Sequence, residues 1–157
     1  MRHAAIAGGV TIVGVAAILF FAVPHKTNQL AGGQPMLPTT TLTIGNTTLT
    51  VELATTAQQE EQGLSGRSRL AEGAGMLFIF DPMKTPGFWM KDMRFSLDII
   101  FAKADGTIVT IYPDLSPASY PQSYHPTEPV RYVLEVPAGF ALQHGISVGQ
   151  KLVLQNE

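Results

Sequence analysis

The sequence predicts an α+β, β-rich domain: a small closed or half-closed β-barrel of short, mostly antiparallel strands with two short helices. The first observation is a series of short apolar or alternating runs, most of them bounded by Gly, Pro, Asn or Asp. The second is that only two short segments carry the signals that begin and end helices. The third is a long apolar run at the N-terminus, which predicts that a transmembrane helix precedes the domain.

The N-terminal run covers residues 4–23, and Thr11 is its one polar residue. A helix rises about 1.5 Å per residue, so this run spans the hydrocarbon core of roughly 30 Å. We predict that residues 1–26 anchor the chain in the cytoplasmic membrane. Arg2 lies on the short side of the run, which favours a cytoplasmic N-terminus and a domain outside the cytoplasm. The alternative is a cleaved signal peptide, which would leave a secreted or periplasmic domain.

The domain begins after a linker. Residues 27–38 contain Gly and Pro without periodicity, which predicts a flexible spacer, and the domain occupies residues 39–157. It opens with a predicted hairpin of strands 41–44 and 48–53 across a Gly-Asn turn. A short polar helix follows, with capping-box spacing at its start and Gly63 at its end.

The rest of the domain is mostly predicted strand. Apolar and alternating runs predict further strands at residues 76–80, 88–91, 97–103, 107–112, 131–136 and 151–154. A second short helix is predicted between Pro137 and Gly145. Residues 113–129 are rich in Pro and show neither pattern. We interpret them as a long loop, which in a compact domain is usually functional or disordered.

Composition excludes several functions. Beyond Lys26 the chain carries 8 basic and 12 acidic residues, a net charge of −4, so no basic surface is expected to bind nucleic acid. The chain has no Cys, and its four His show no metal-ligand spacing. No Gly-rich phosphate loop, nucleophile elbow or zinc-protease motif occurs. We therefore predict no cofactor and no metal site.

Two acids interrupt apolar strands: Asp98 between Leu and Ile, and Glu135 between Leu and Val. Two carboxylates in one cleft can act as general acid and base when their environments separate their pKa values. The pair is therefore a candidate catalytic site. The structural alternative is that the fold satisfies each acid separately, through Lys91, Arg131 or Arg67 or through backbone N–H groups.

A second candidate site surrounds the only Trp. Trp89 and Lys91 share one face of a predicted strand, and an aromatic ring beside a charge suits a flat ligand. The Pro-rich loop carries further aromatic side chains, and we expect it to cover this site as a lid. The interpretation that the sequence favours is a core Trp beside a Lys that extends its ammonium to solvent. The ligand-binding candidates are Trp89, Lys91, Asp98, Arg131, Tyr124 and His125.

Several separated motifs resemble one family. They are Gly63-Leu64-Ser65-Gly66-Arg67, Gly75-Met76-Leu77-Phe78, Phe88-Trp89-Met90-Lys91, Leu97-Asp98-Ile99-Ile100-Phe101 and Arg131-Tyr132-Val133-Leu134-Glu135-Val136. Over about residues 42–154 they resemble the bacterial and archaeal domain of unknown function 192 family. The resemblance implies a small, single β-rich domain, often behind a signal or anchor segment, with no established activity. Relatives often have Met in place of Ser65 and Asn in place of Asp92. The Asp adds a charge that could pair with Lys91 or Arg94.

These features predict a membrane-tethered extracytoplasmic domain that binds a small ligand or a protein partner and does not catalyse a reaction. The alternative is a hydrolase, for example one that acts on glycans, with Asp98 and Glu135 as its acid/base pair.

Overall fold

The structure is a computed structural model, and it describes residues 37–155. Within these residues, nine strands and two short helices follow one another. They are β1 (Thr39–Ile44), β2 (Thr47–Ala54), α1 (Ala57–Gln62), β3 (Ala74–Lys84), β4 (Phe88–Trp89), β5 (Leu97–Ala102), β6 (Ile108–Leu115), β7 (Ser123–Tyr124), β8 (Val130–Pro137), α2 (Phe140–Gln143) and β9 (Leu152–Leu154).

Seven strands form one curled sheet in the order β6-β5-β8-β3-β2-β1-β9, and β4 and β7 form a small second sheet. All pairings are antiparallel except that of β2 with β3. Parallel neighbours need a crossover connection, and α1 lies in that connection.

The two ends of the curled sheet meet at one corner. A β-bridge joins Thr107, just before β6, to Lys151, just before β9. Beside it, the Leu152 N–H donates to the Gly106 carbonyl and the Ile108 N–H donates to the Gln150 carbonyl, each at 2.9 Å. The sheet is thus a half-barrel, and the prediction of a β-rich, half-closed barrel with two short helices is confirmed.

Apolar side chains cover both faces of the sheet. One cluster contains Leu42, Val51, Ile100 and Leu134 and receives Phe140 from α2. The cluster on the other face contains Met76, Phe78, Ile99, Phe101 and Val133. All six residues of β5 are buried, because both faces of this strand are covered.

The capping box identifies the start of α1. The Thr56 hydroxyl accepts from the Gln59 N–H at 3.3 Å, and the Gln59 side chain accepts from the Thr56 N–H at 3.1 Å. Gly63 ends the helix with a φ of 48° and a ψ of −132°, which is not the left-handed helical conformation but is one that Gly, without a Cβ, adopts readily. No residue of α1 is buried, so caps rather than core packing hold its ends.

The long loop differs from its prediction. Residues 113–129 include the end of β6, a 3-10 turn at Pro117–Ser119 and the strand β7. Strand β6 continues through Pro113, which is tolerated because β6 is an edge strand of the sheet over this stretch. Strand β7 forms because β4 supplies its partner, and no local pattern encodes that pairing.

No helix within residues 37–155 is both long enough and apolar enough to cross a membrane. The predicted membrane segment, residues 4–23, and almost all of the predicted linker lie outside the described residues.

Candidate functional site

A pocket of about 290 Å³ lies beside α1, on the face of the sheet that carries Phe78. Its walls are α1, the turn at residues 63–65, strand β3 and strand β4. Glu135 of β8 also lines it.

Strand register places Glu135 there. It stands opposite Met76 of β3 and Ile99 of β5, and both neighbours belong to the same apolar cluster as Phe78. Opposite residues in paired strands point to the same face, so the carboxyl group projects among these side chains. Its side chain is buried, and Oε2 has no hydrogen-bond partner among the described residues.

Burial raises the pKa of Glu135 from its ordinary 4.5 to about 8. The cause is desolvation, because the charged form loses its water, and the nearby Arg67 guanidinium only partly offsets this effect. Arg67 itself forms a two-point ion pair with Glu52, with N–O distances of 2.6 and 2.8 Å. Glu135 therefore carries a proton at pH 7.

The charged residues that line the pocket are all acidic. They are Glu60 and Glu61 of α1 together with Glu135, and no Lys, Arg or His from the described part of the chain lines it. The remaining walls include four aromatic side chains. Phe78 and Phe88 pack edge to face with their ring centroids 4.9 Å apart, and Phe80 and Trp89 complete the set.

Trp89 is not a core residue, because 49% of its surface is exposed. The favoured interpretation of Trp89 as a core residue is therefore wrong. It sits in β4, where Phe88 stands opposite Tyr124 and Trp89 opposite Ser123 of β7. The structure thus brings the Pro-rich loop to the strand that carries the Trp.

Two loop candidates lie beside β4. Tyr124 is buried and packs its ring 5.1 Å from that of Tyr112. His125 is exposed, and its carbonyl accepts from the Tyr112 hydroxyl at 2.9 Å. The His125 ring lies so close to Gly87 that a Cβ there would come within 2.7 Å of it. Neither Tyr124 nor His125 lines the pocket directly.

Asp98 lies elsewhere. It stands opposite Val136 of β8, the next residue along the strand from Glu135, so the two carboxyl groups point to opposite faces of the sheet. Asp98 is fully buried and accepts the N–H groups of Asp114, Gly139 and Ala141 at 2.8, 3.0 and 2.8 Å. The two acids therefore do not form the pair that acid/base hydrolysis needs.

The two basic candidates also lie outside the pocket lining. The Lys91 side chain is exposed, and its carbonyl accepts from the Ser65 hydroxyl at 2.9 Å. Arg131 is partly buried and lies 3.6 Å from a carboxylate oxygen of Asp81. Within residues 37–155, Asp92 forms no ion pair with Lys91 or Arg94.

Sequence reasoning named Trp89 as a ligand-binding candidate and Glu135 as a catalytic candidate, but it did not place the two residues in one pocket. The sequence-based candidates do not include Glu60 and Glu61, which lie in a polar helix, or Phe78 and Phe80, which lie in an apolar strand. The alternation of Phe78 and Phe80 along β3 was a usable signal, since it places both rings on one face. No group of three or more metal-ligating His, Cys, Asp or Glu side chains occurs in the part of the chain that the structure describes.

The chain is similar to two solved structures. A proposed transcription regulator from Sinorhizobium meliloti 1021 shares 36% sequence identity and has a TM-score of 0.73, and the match covers 78% of this chain and 98% of that one. A protein of unknown function from Novosphingobium aromaticivorans DSM 12444 shares 28% identity and has a TM-score of 0.71, and the match covers 84% and 94%. No protein of curated function matches.

A match to a protein-family model covers most of the chain, as the two structural matches do. Residues 40–154 match DUF192, described as Uncharacterized ACR, and this range contains all of the pocket residues. The motifs that carried the resemblance lie inside it. The chain therefore belongs to the domain of unknown function 192 family.

Proposed function

We propose that this chain is a membrane-tethered, extracytoplasmic module that binds a small ligand in the pocket above Glu135 and does not catalyse a reaction. One observation carries the proposal: at the wall of an aromatic pocket lies a buried carboxyl oxygen for which residues 37–155 supply no hydrogen-bond partner. Buried polar groups are normally hydrogen-bonded, so an exception next to a pocket suggests that a ligand supplies the partner.

The geometry favours binding over hydrolysis. Asp98 and Glu135 point to opposite faces, and three N–H groups already occupy Asp98. Asp98, the partner that the hydrolase alternative assigns to Glu135, is therefore not placed to activate water in this pocket. Gene regulation, suggested by the description of the S. meliloti relative, is not extended to this chain, because a net charge of −4 beyond Lys26 disfavours contact with DNA.

The binding site can be tested with a fragment library and the full chain in a non-ionic detergent. Backbone amide shifts in NMR should change around residues 60–65 and 87–93 for the fragments that bind. Ala57→Phe places a bulky side chain in the pocket lining and should abolish these changes, whereas Gln58→Phe, on the neighbouring residue outside the lining, should not. Shifts that cluster elsewhere, or binding that survives Ala57→Phe, would contradict the proposed site.

The tether rests on the apolar run at residues 4–23. The full chain should sediment with membranes, and protease added to spheroplasts should digest its domain. Removal of residues 1–26 should abolish both results. The mass of the mature chain distinguishes an anchor from a cleaved signal peptide, and a full-length chain in the cytoplasmic fraction would refute the tether.

A further inference from the structure

The pocket is acidic on one side and aromatic on the other. Glu60 and Glu61 lie on the helix wall, and Glu135 lies among the apolar side chains of the sheet. An anionic ligand would be repelled by these groups once they are ionised. A cation is attracted by each ionised carboxylate. The attraction is strongest at Glu135, because burial lowers the effective dielectric constant there.

Glu135 also needs a hydrogen-bond donor. In the part of the chain that the structure describes, its buried Oε2 has no hydrogen-bond partner, and a Cβ built on Gly63 would lie 3.9 Å from that oxygen. An ammonium group offers three N–H donors and a positive charge in a compact volume. It can therefore satisfy the oxygen and neutralise the carboxylate together, whereas a hydroxyl group supplies only the hydrogen bond.

The aromatic walls favour the same kind of ligand. Phe78, Phe88 and Trp89 are among the residues that line the pocket, and the faces of aromatic rings attract cations. Nearby, the Lys84 ammonium already lies 5.2 Å from the centre of the Phe80 ring. The volume of about 290 Å³ suits a small molecule.

We infer that the pocket binds a small organic cation, a primary ammonium group on a compact apolar body, with the ammonium against Glu135 and the apolar body against Phe88 and Trp89. The inference rests on the proposed function, because it names the ligand class of the same site.

Binding of such a cation is coupled to proton release. Glu135 holds a proton at neutral pH, and a cation beside it favours the carboxylate, so the proton leaves to solvent as the ammonium binds. The charged groups around it are Glu60 and Glu61 of α1, Arg67 with its partner Glu52, and Lys84 of β3 beyond the Phe80 ring. Affinity for the cation should therefore rise with pH up to about 8 and then level off.

The test compares three probes of one shape: cyclohexylmethylamine, cyclohexylmethanol and cyclohexanecarboxylate. Each is titrated into the full chain in non-ionic detergent, and binding is read from Trp89 fluorescence and calorimetry. The amine should bind at least tenfold more tightly than the alcohol. Its affinity should rise by roughly tenfold per pH unit below about pH 8, since one proton is released.

Glu135→Gln tests the role of the carboxylate. It keeps the shape of the side chain and removes the charge, so the amine should lose at least tenfold in affinity and its pH dependence should vanish. Binding of the alcohol should change little. Glu72→Gln removes an exposed acid outside the pocket and serves as the matched control, with no change expected.

The outcomes separate the two proposals. Equal binding of amine and alcohol, in wild type and in Glu135→Gln, would overturn the ligand class and leave the binding pocket intact. Tighter binding of the carboxylate, or amine binding unaffected by Glu135→Gln, would also overturn the class. If none of the three probes binds to wild type at millimolar concentration, the ligand class fails, and the fragment screen with Ala57→Phe then decides separately whether the pocket binds any ligand.

Discussion

At the scale of single residues, Asp98 and Glu135 show how one sequence feature can have two physical meanings. Each is a buried acid within a central strand, and the strands are neighbours. Asp98 accepts three backbone N–H groups, so the fold uses its charge. Glu135 has a raised pKa and an oxygen that no group within residues 37–155 hydrogen-bonds, so the described fold does not satisfy it. The number of donors that reach each carboxyl group distinguishes a structural acid from a candidate ligand-binding acid.

Asp98→Asn should therefore lower the free energy of unfolding by about 2–4 kcal/mol. The amide has one acceptor oxygen instead of two, and its NH₂ group would face a backbone N–H. Urea denaturation measures the change. Asp92→Asn is the matched control, because Asp92 is exposed at a φ of 57° that Asn tolerates, and its effect should stay within about 0.5 kcal/mol. Equal stability of Asp98→Asn and wild type would contradict the structural role.

Glu135 predicts a pH-dependent stability of the ligand-free protein. Its pKa is about 8 in the folded state and 4.5 when exposed, so between these values the folded state holds a proton that the unfolded state releases. The contribution of Glu135 to the free energy of unfolding should thus be largest below pH 4.5. It should fall as pH rises to about 8 and then level off.

Glu135→Gln should remove this decline, so its stability relative to wild type should increase by on the order of 4 kcal/mol from about pH 4.5 to 8. Urea midpoints at several pH values provide the measurement, and Glu72→Gln should keep the wild-type profile. Parallel profiles for wild type and Glu135→Gln would show that the folded protein ionises Glu135 normally.

At the scale of elements, α1 has an unusual position: it forms one wall of the pocket although none of its six residues is buried. A helix this short has little intrinsic stability, so its capping box matters more than it would in a packed helix. The wall opposite Phe78 therefore depends on Thr56 and Gln59.

Thr56→Ala should destabilise α1 by about 1 kcal/mol, because the Gln59 N–H loses its acceptor. Hydrogen exchange of the α1 amides should become about fivefold faster, the factor that corresponds to this energy. Thr48→Ala, at an exposed position of β2, is the control and should leave α1 unchanged. Unaltered exchange in Thr56→Ala would mean that contacts other than the cap hold the helix.

At the scale of the whole molecule, the corner where β6 meets β9 closes the half-barrel. Gly106 sits there with a φ of 80°, and its carbonyl accepts from the Leu152 N–H. A Cβ on Gly106 would overlap the Leu152 carbonyl oxygen, so this glycine is required both by its backbone angle and by its close approach to the other strand.

Gly106→Ala should cost about 3 kcal/mol or more in unfolding free energy, since strain in φ adds to a backbone overlap. Gly45→Ala is a matched control: Gly45 has a φ of 57° but nothing within 4 Å of a Cβ, so only the strain of about 1 kcal/mol applies. Thermal or urea denaturation gives the difference. Equal costs for the two variants would show that the corner does not hold the ends of the sheet together.

The sequence by itself determined the β-rich class, the first hairpin, the two short helices and the family, because these depend on local alternation, turn residues and motif order. It also marked Trp89 and Glu135 as unusual residues. Only the tertiary structure decided which acids face each other, since a shift of one residue in strand register reverses the face of every side chain. It likewise paired the Pro-rich loop with β4 and placed α1 over Glu135. These contacts join residues distant in the chain, and periodicity within a segment carries no information about its partner.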